Sequence, residues 1–200
     1  GFKFSFPFLS KDVLHSSLMS RPVMRGGKEG ALRYMRLFRH MLHPDYPTLG
    51  FLGIVLTYGN ESCVGEMQAR WLLSLWRGSA RCPSLLEVRE HVKKVERKAE
   101  VGSPKFAQFV SYLKYMDMLA RDIGCLPTSW WHINQMALSL KLLTGPVVPA
   151  QYRLVGPHRW QGAEEFVKRL PVVAGRFAEL ALWKPTTPGA HKIQKLDAKL

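Results

Sequence analysis

The sequence predicts a mainly α-helical fold with few strands. Three observations lead there: one β-rich run unbroken by charge, Thr48 to Leu56; at least four later segments with apolar residues at helical spacing; and capping residues, glycines and prolines that punctuate those segments. The chain has 200 residues of which 46% are hydrophobic, enough to bury a full core. Its longest apolar stretches, such as Phe51 to Leu56, fall far short of the ~20 residues that span a bilayer.

Residues Gly1 to Pro47 read as irregular, with Pro7, Pro22, Pro44 and Pro47 as breakers and Gly26-Gly27 as a loop. Leu32, Met35, Phe38 and Met41 recur at intervals of three, which by periodicity alone predicts a short helix. Thr48 to Leu56 reads as a strand covered on both faces. A glycine turn then leads into a helix from Val64 to Trp76, with Met67, Trp71, Leu72 and Leu75 on one stripe and Gly78 as its stop. Ser84-x-x-Glu87 is a capping box opening the next helix, in which Leu85, Val88, Val92, Val95 and Ala99 recur at spacings of three and four. Its other faces alternate charge signs, which suits a solvated surface.

Ser103-Pro104 predicts another helix start, with Phe106, Phe109, Val110, Leu113, Met116, Ala120 and Ile123 as its apolar face and Gly124 as its end. A further helix follows Pro127-Thr128-Ser129 and stops at Gly145-Pro146. Val147 to Val155 reads as extended, Gly162 to Leu170 as helical until Pro171, and the tail from Lys184 as polar and loose. No repeat of the usual periods is present.

The formal charge of +14 favours acidic partners in principle. The basic residues cluster near the two ends while the most charged helix nearly cancels, so nucleic-acid binding is not the reading adopted. Cys63, Cys82 and Cys125 are odd in number and form no C-x-x-C, against a zinc site or a full disulfide framework. His40 and His43 lie three apart beside Asp45, but no second cluster completes a metal site, so structural roles are expected. No G-x-S-x-G elbow is present, and Glu164-Glu165 point apart on a helix. No phosphate-cradling glycine loop occurs; Gly26-Gly27-Lys28-Glu29-Gly30 has the wrong spacing. The chain therefore holds no self-sufficient catalytic set. Its most informative segment is Pro47 to Trp71, where strand, turn and helix N-terminus form one wall of a ligand site.

That wall carries a resemblance. Phe4-Ser5-Phe6-Pro7-Phe8-Leu9, Pro47-Thr48-Leu49-Gly50-Phe51-Leu52-Gly53, Glu66-Met67-Gln68-Ala69-Arg70-Trp71, Tyr115-Met116-Asp117, and Gly145-Pro146 with Pro149, Tyr152-Arg153, Gly156-Pro157, Trp160 and Gly162-Ala163 are ordered motifs of this sequence. Together they resemble the C-terminal portion of flavin-containing monooxygenases, the dimethylaniline-oxidising type, over about residues 1 to 163. Two departures stand at the turn: Leu56-Thr57 where the family usually has glutamine-proline, and Cys63 where it has a proline. Arg36 to His43 matches a family segment that is extended, and that expectation is preferred to the helix.

The resemblance implies an α/β flavoprotein with two dinucleotide-binding domains, of which this chain is a C-terminal fragment. It implies FAD and NADPH as cofactors, with their glycine fingerprints upstream, and oxygenation of soft nitrogen or sulfur nucleophiles through a flavin hydroperoxide. Residues 47–78 would be the return strand and helix of the FAD-binding domain, 84–183 a helical C-terminal region, and 184–200 a polar tail. The flavin-facing backbone is expected at Thr57, Tyr58, Gly59, Asn60, Glu61 and Ser62, with no catalytic side chain and no metal ligand in this portion. The expected partners are the N-terminal FAD- and NADPH-binding portion and a small nucleophilic substrate, with a membrane surface left open and nucleic acid set aside. The expected location is cytoplasmic or at the endoplasmic-reticulum surface; Ala198-Lys199-Leu200 also resembles a peroxisomal address. Two rival readings are a basic helical interaction module without enzyme activity and a related Baeyer–Villiger or N-hydroxylating flavin monooxygenase.

Overall fold

A computed structural model describes residues 5–14, 18–19, 24–25, 28–29, 34–101, 107–127, 136–173 and 175–176. In order these form α1 (Lys11–Val13), β1 (Met24–Arg25), β2 (Lys28–Glu29), α2 (Glu61–Trp76), α3 (Leu85–Val101), α4 (Tyr112–Asp122), α5 (Met136–Thr144), a 3-10 helix (Pro149–Arg153) and α6 (Ala163–Arg169). The two short strands pair antiparallel, Met24 opposite Glu29. The fold is thus mainly helical. Contacts divide it into two units: one takes in the described residues up to Leu56 and from Cys82 to Val110, the other those from Thr57 to Arg81 and from Ser111 onward. The boundary at Leu56 falls inside the strand-and-helix segment read from the sequence.

The first unit is built from irregular chain packed on apolar side chains. Leu18, Met35, Leu37 and Phe51 form one buried cluster, with Phe6, Leu9 and Leu14 against it. Tyr34 joins Val95, Ala99 and Ala107 in another. Burial, with Glu96 adding to it, pushes the Tyr34 phenol up to about 12. α3 opens with the capping box as expected: the Ser84 N–H donates to Glu87 Oε2 at 2.8 Å and the Glu87 N–H to Ser84 Oγ at 3.2 Å.

Thr48 to Leu56 does not form the expected strand. Gly50 makes one antiparallel bridge to Leu42, and Leu56 one parallel bridge to Phe109. Between them Gly53 takes φ +77, outside the β region, so a ladder cannot run through. The apolar composition that suggested a strand records burial instead, since Phe51 and Val55 are buried. Residues 34–43 are not helical either. Phe38 and Leu42 exchange N–H···O bonds, both at 2.9 Å, around a tight turn. Met35, Phe38 and Met41 are buried in this extended-and-turn geometry, in accord with the resemblance and against the periodicity.

The second unit packs α2 on α4. Met67, Trp71, Leu72 and Leu75 are buried, and the helices are tied by Gln68 Nε2 donating to the Tyr115 hydroxyl at 2.8 Å and Trp71 Nε1 donating to Asp122 Oδ2 at 2.9 Å. The glycines expected to stop α2 and α4 both stand at positive φ, 73° at Gly78 and 69° at Gly124. α4 starts only at Tyr112, because Phe109 is held by its bridge to Leu56; the Ser103-Pro104 start lies outside the described residues. Likewise the start of the helix after Pro127 lies outside them, and α5 ends at Thr144 as the Gly145-Pro146 stop requires.

Residues 147–155 are not extended as expected. Pro149 presets the first turn of a 3-10 helix, and Gln151 Nε2 closes back on the Pro146 carbonyl at 3.0 Å. Leu138, Leu142, Ala150 and Val167 bury the faces of α5, this turn and α6 together. The tail from residue 184 lies outside the described residues. Among the described residues no helix is long and apolar enough to cross a membrane.

Candidate functional site

Asn60 is the residue that ends the turn and starts the helix. Its backbone is extended at φ −78°, and its side-chain oxygen accepts from the N–H of Ser62 at 3.0 Å and of Cys63 at 3.4 Å. Asn60 thus satisfies two of the N–H groups that a helix N-terminus leaves without an intrahelical partner. The positive end of the helix dipole remains in place, favouring negative charge nearby.

Of the six residues singled out, Tyr58, Gly59, Asn60, Glu61 and Ser62 are exposed, Tyr58 by 77%. Thr57 is half-buried, and its Oγ1 is buried with no hydrogen-bond partner among the described residues. The turn is backed by a side chain that sequence reasoning missed. A Cβ on Gly59 would lie 2.5 Å from Cγ and Cδ2 of Tyr112, so only glycine fits there without a shift. Tyr112 is itself buried, and its hydroxyl donates to the Val147 carbonyl at 3.3 Å. Nothing in the local pattern around residue 59 announces a tyrosine fifty-odd positions away.

Cys63, in the first turn of α2, is buried, and burial pushes its thiol up, with a Tyr112 hydrogen bond pulling the other way. A thiol so held stays protonated near neutral pH and is a poor nucleophile. Behind the helix lies a polar network. Glu66 accepts from Arg153 Nη2 at 2.8 Å, Arg70 Nη2 donates to the Tyr152 and Pro157 carbonyls at 3.0 and 3.1 Å, and the Tyr152 hydroxyl donates to Asp117 Oδ1 at 2.8 Å. Arg176 completes it on Asp117 Oδ2 at 2.7 Å. The motif residues Glu66, Arg70, Asp117, Tyr152 and Arg153 are thus brought together as a brace rather than a reaction centre.

The remaining candidates separate. His40 and His43 are buried, and among the described residues no three His, Cys, Asp or Glu side chains are grouped to hold a metal. Glu164 pairs with Lys168 at 2.7 Å and Glu165 with Arg169 at 3.7 Å on the surface of α6.

Comparison with known proteins agrees with the motifs. A flavin-binding monooxygenase-like family model matches residues 1–169. The chain belongs to this family. Flavin-containing monooxygenase 3 of Canis lupus familiaris is 29% identical over 170 residues, and the N-oxide-forming dimethylaniline monooxygenase 2 of Cavia porcellus 30% identical over 175, each match taking 84% of this chain and 30% of the relative. A 4-hydroxybenzoate brominase (decarboxylating) of Marinomonas mediterranea is 31% identical over 180 residues, 87% of this chain and 31% of the relative. The chain spans about 30% of the length of the curated relatives it matches.

Membership in the family implies a flavin. The turn at residues 57–62 is compatible with such a group: it is exposed, Tyr112 packs behind it, and one buried hydroxyl at its start lacks a partner among the described residues.

Proposed function

We propose that this chain acts as one wall of the flavin site of an FAD- and NADPH-dependent monooxygenase that oxygenates soft nitrogen or sulfur nucleophiles. The dinucleotide grips would come from another portion of the same protein. The observation that carries the reading is the exposed turn 58–62, fixed from behind by Tyr112 and capped by Asn60, in a chain of the flavin-binding monooxygenase-like family.

A bound flavin would supply the redox and oxygen chemistry. The chain's own share is placement and exclusion. The backbone of residues 57–62 and the exposed Tyr58 would line the side of a bound ring, and the N-terminus of α2 would favour negative charge there. The Glu66–Arg153 and Asp117–Arg176 pairs hold α2 and α4 so that this wall does not shift. The buried thiol of Cys63 offers no competing nucleophile.

The test is flavin retention, NADPH oxidation and oxygenation of a tertiary amine or thioether by the whole-length protein carrying these residues. A whole-length protein that holds no flavin would defeat the reading. The similarity to 4-hydroxybenzoate brominases, 31% identical over 87% of the chain, supports a second one: a flavin enzyme of the same architecture that halogenates a phenol. Turnover that requires bromide would favour it.

A further inference from the structure

Three imidazoles of the first unit stand where a second proton would meet N–H donors, in the case of His43, or cationic side chains, in the case of His40 and His91. His43 is buried, and its Nδ1 accepts from the N–H of Asp45 and of Tyr46, both at 3.1 Å, so Nε2 carries the proton and donates to the Val13 carbonyl at 3.2 Å. A proton added at Nδ1 would face two N–H donors. His40 lies in the tight turn closed by Phe38 and Leu42, where two consecutive non-glycine residues hold positive φ, 51° at Arg39 and 58° at His40. That backbone persists only while its surroundings hold it.

The His40 ring lies edge-on to His91 of α3 at 5.6 Å between centroids, and His91 meets the Phe38 ring at 5.3 Å. The charges facing these rings are cations: Arg39, Lys94 and Lys98 toward His91, and Lys98 together with His91 toward His40. Asp45 is the carboxylate facing His43. Glu96, also on α3, is taken by Arg36 at 3.0 Å. Burial lowers all three histidines, His91 to about 3, so the closed arrangement holds them neutral.

We propose that residues 38–50 and α3 form an acid-released clasp, in which protonation of His40, His43 and His91 frees the turn from the helix while the helices of the second unit stay folded. The sign follows from linkage. The open form binds more protons, so the clasp is fully closed above the ordinary histidine range near 6.5 and opens as pH falls below it. At pH 5 each histidine would shift the open-to-closed ratio by up to about thirtyfold.

Hydrogen exchange of the 200-residue chain at pH 7.5 and 5.0, corrected for intrinsic rates, tests this. Peptides spanning 38–50 and 85–101 are expected to lose protection at least tenfold at pH 5.0, with 61–76 and 112–122 unchanged, and His91→Leu should blunt the loss. Unchanged protection, or equal loss in all four segments, would overturn the proposal. Should His91→Leu fail to fold, imidazole nitrogen shifts of the wild-type chain decide: His43 fixed as the Nε2–H tautomer at pH 6 supports the clasp, and three histidines titrating near 6.5 in the folded chain exclude it.

Discussion

Gly59 and Asn60 set the shape of the candidate site one residue at a time. Replacing Gly59 with alanine drives a methyl group into the Tyr112 ring, which is fixed at its far end through the Val147 carbonyl. Overpacking of this kind costs about 1–3 kcal/mol, and the expected outcome is a matching drop in the urea midpoint of the Gly59→Ala chain. An unchanged midpoint would show that Tyr112 yields freely and does not back the turn. Asn60→Ala removes the acceptor for two N–H groups and should cost about 1 kcal/mol, with Asn60→Ser restoring most of it. If both Asn60 variants melt with the wild type, the cap contributes nothing and the donors of α2 are satisfied by water. Tyr112 could not be found from the sequence around Gly59, because their contact joins elements distant in the chain.

At the scale of elements, legibility tracks how local the determining forces are. α2 and α3 follow from short-range signals: the stripe of Met67, Trp71, Leu72 and Leu75, and the reciprocal Ser84–Glu87 bonds. The expected strand at Thr48 to Leu56 fails because apolar composition reports burial but not pairing, and Gly53 interrupts the extended run. The 3-10 turn at Pro149–Arg153 was hidden for a related reason, since it depends on Gln151 reaching Pro146 and on burial of Tyr152 among distant partners. The brace behind α2 gives its own prediction. Asp117 compensates an Arg176 side chain only 3% exposed, and also accepts from Tyr152. Asp117→Ala leaves that guanidinium buried without its carboxylate and should lower stability by about 3 kcal/mol, near the low end for a broken buried pair because Asp117 is partly exposed. Lys168→Ala, which removes a surface pair on α6, should be nearly silent in the same denaturation experiment. Equal effects of the two substitutions would contradict the brace.

Over the whole molecule, a flavin-family chain matching about 30% of its relatives' length combines an exposed, rigidly backed turn with no phosphate-cradling glycine loop in its sequence. Ring contact alone is a weak hold on a dinucleotide, because much of the binding energy and all of the register come from the phosphates. The most direct measurement is flavin retention by the purified 200-residue chain after saturation with FAD and gel filtration, followed by NADPH addition. A colourless, NADPH-inert chain, beside a whole-length protein that stays yellow, is the expected result. A chain that emerges yellow on its own and consumes NADPH would contradict the claim that it forms only one wall of the site.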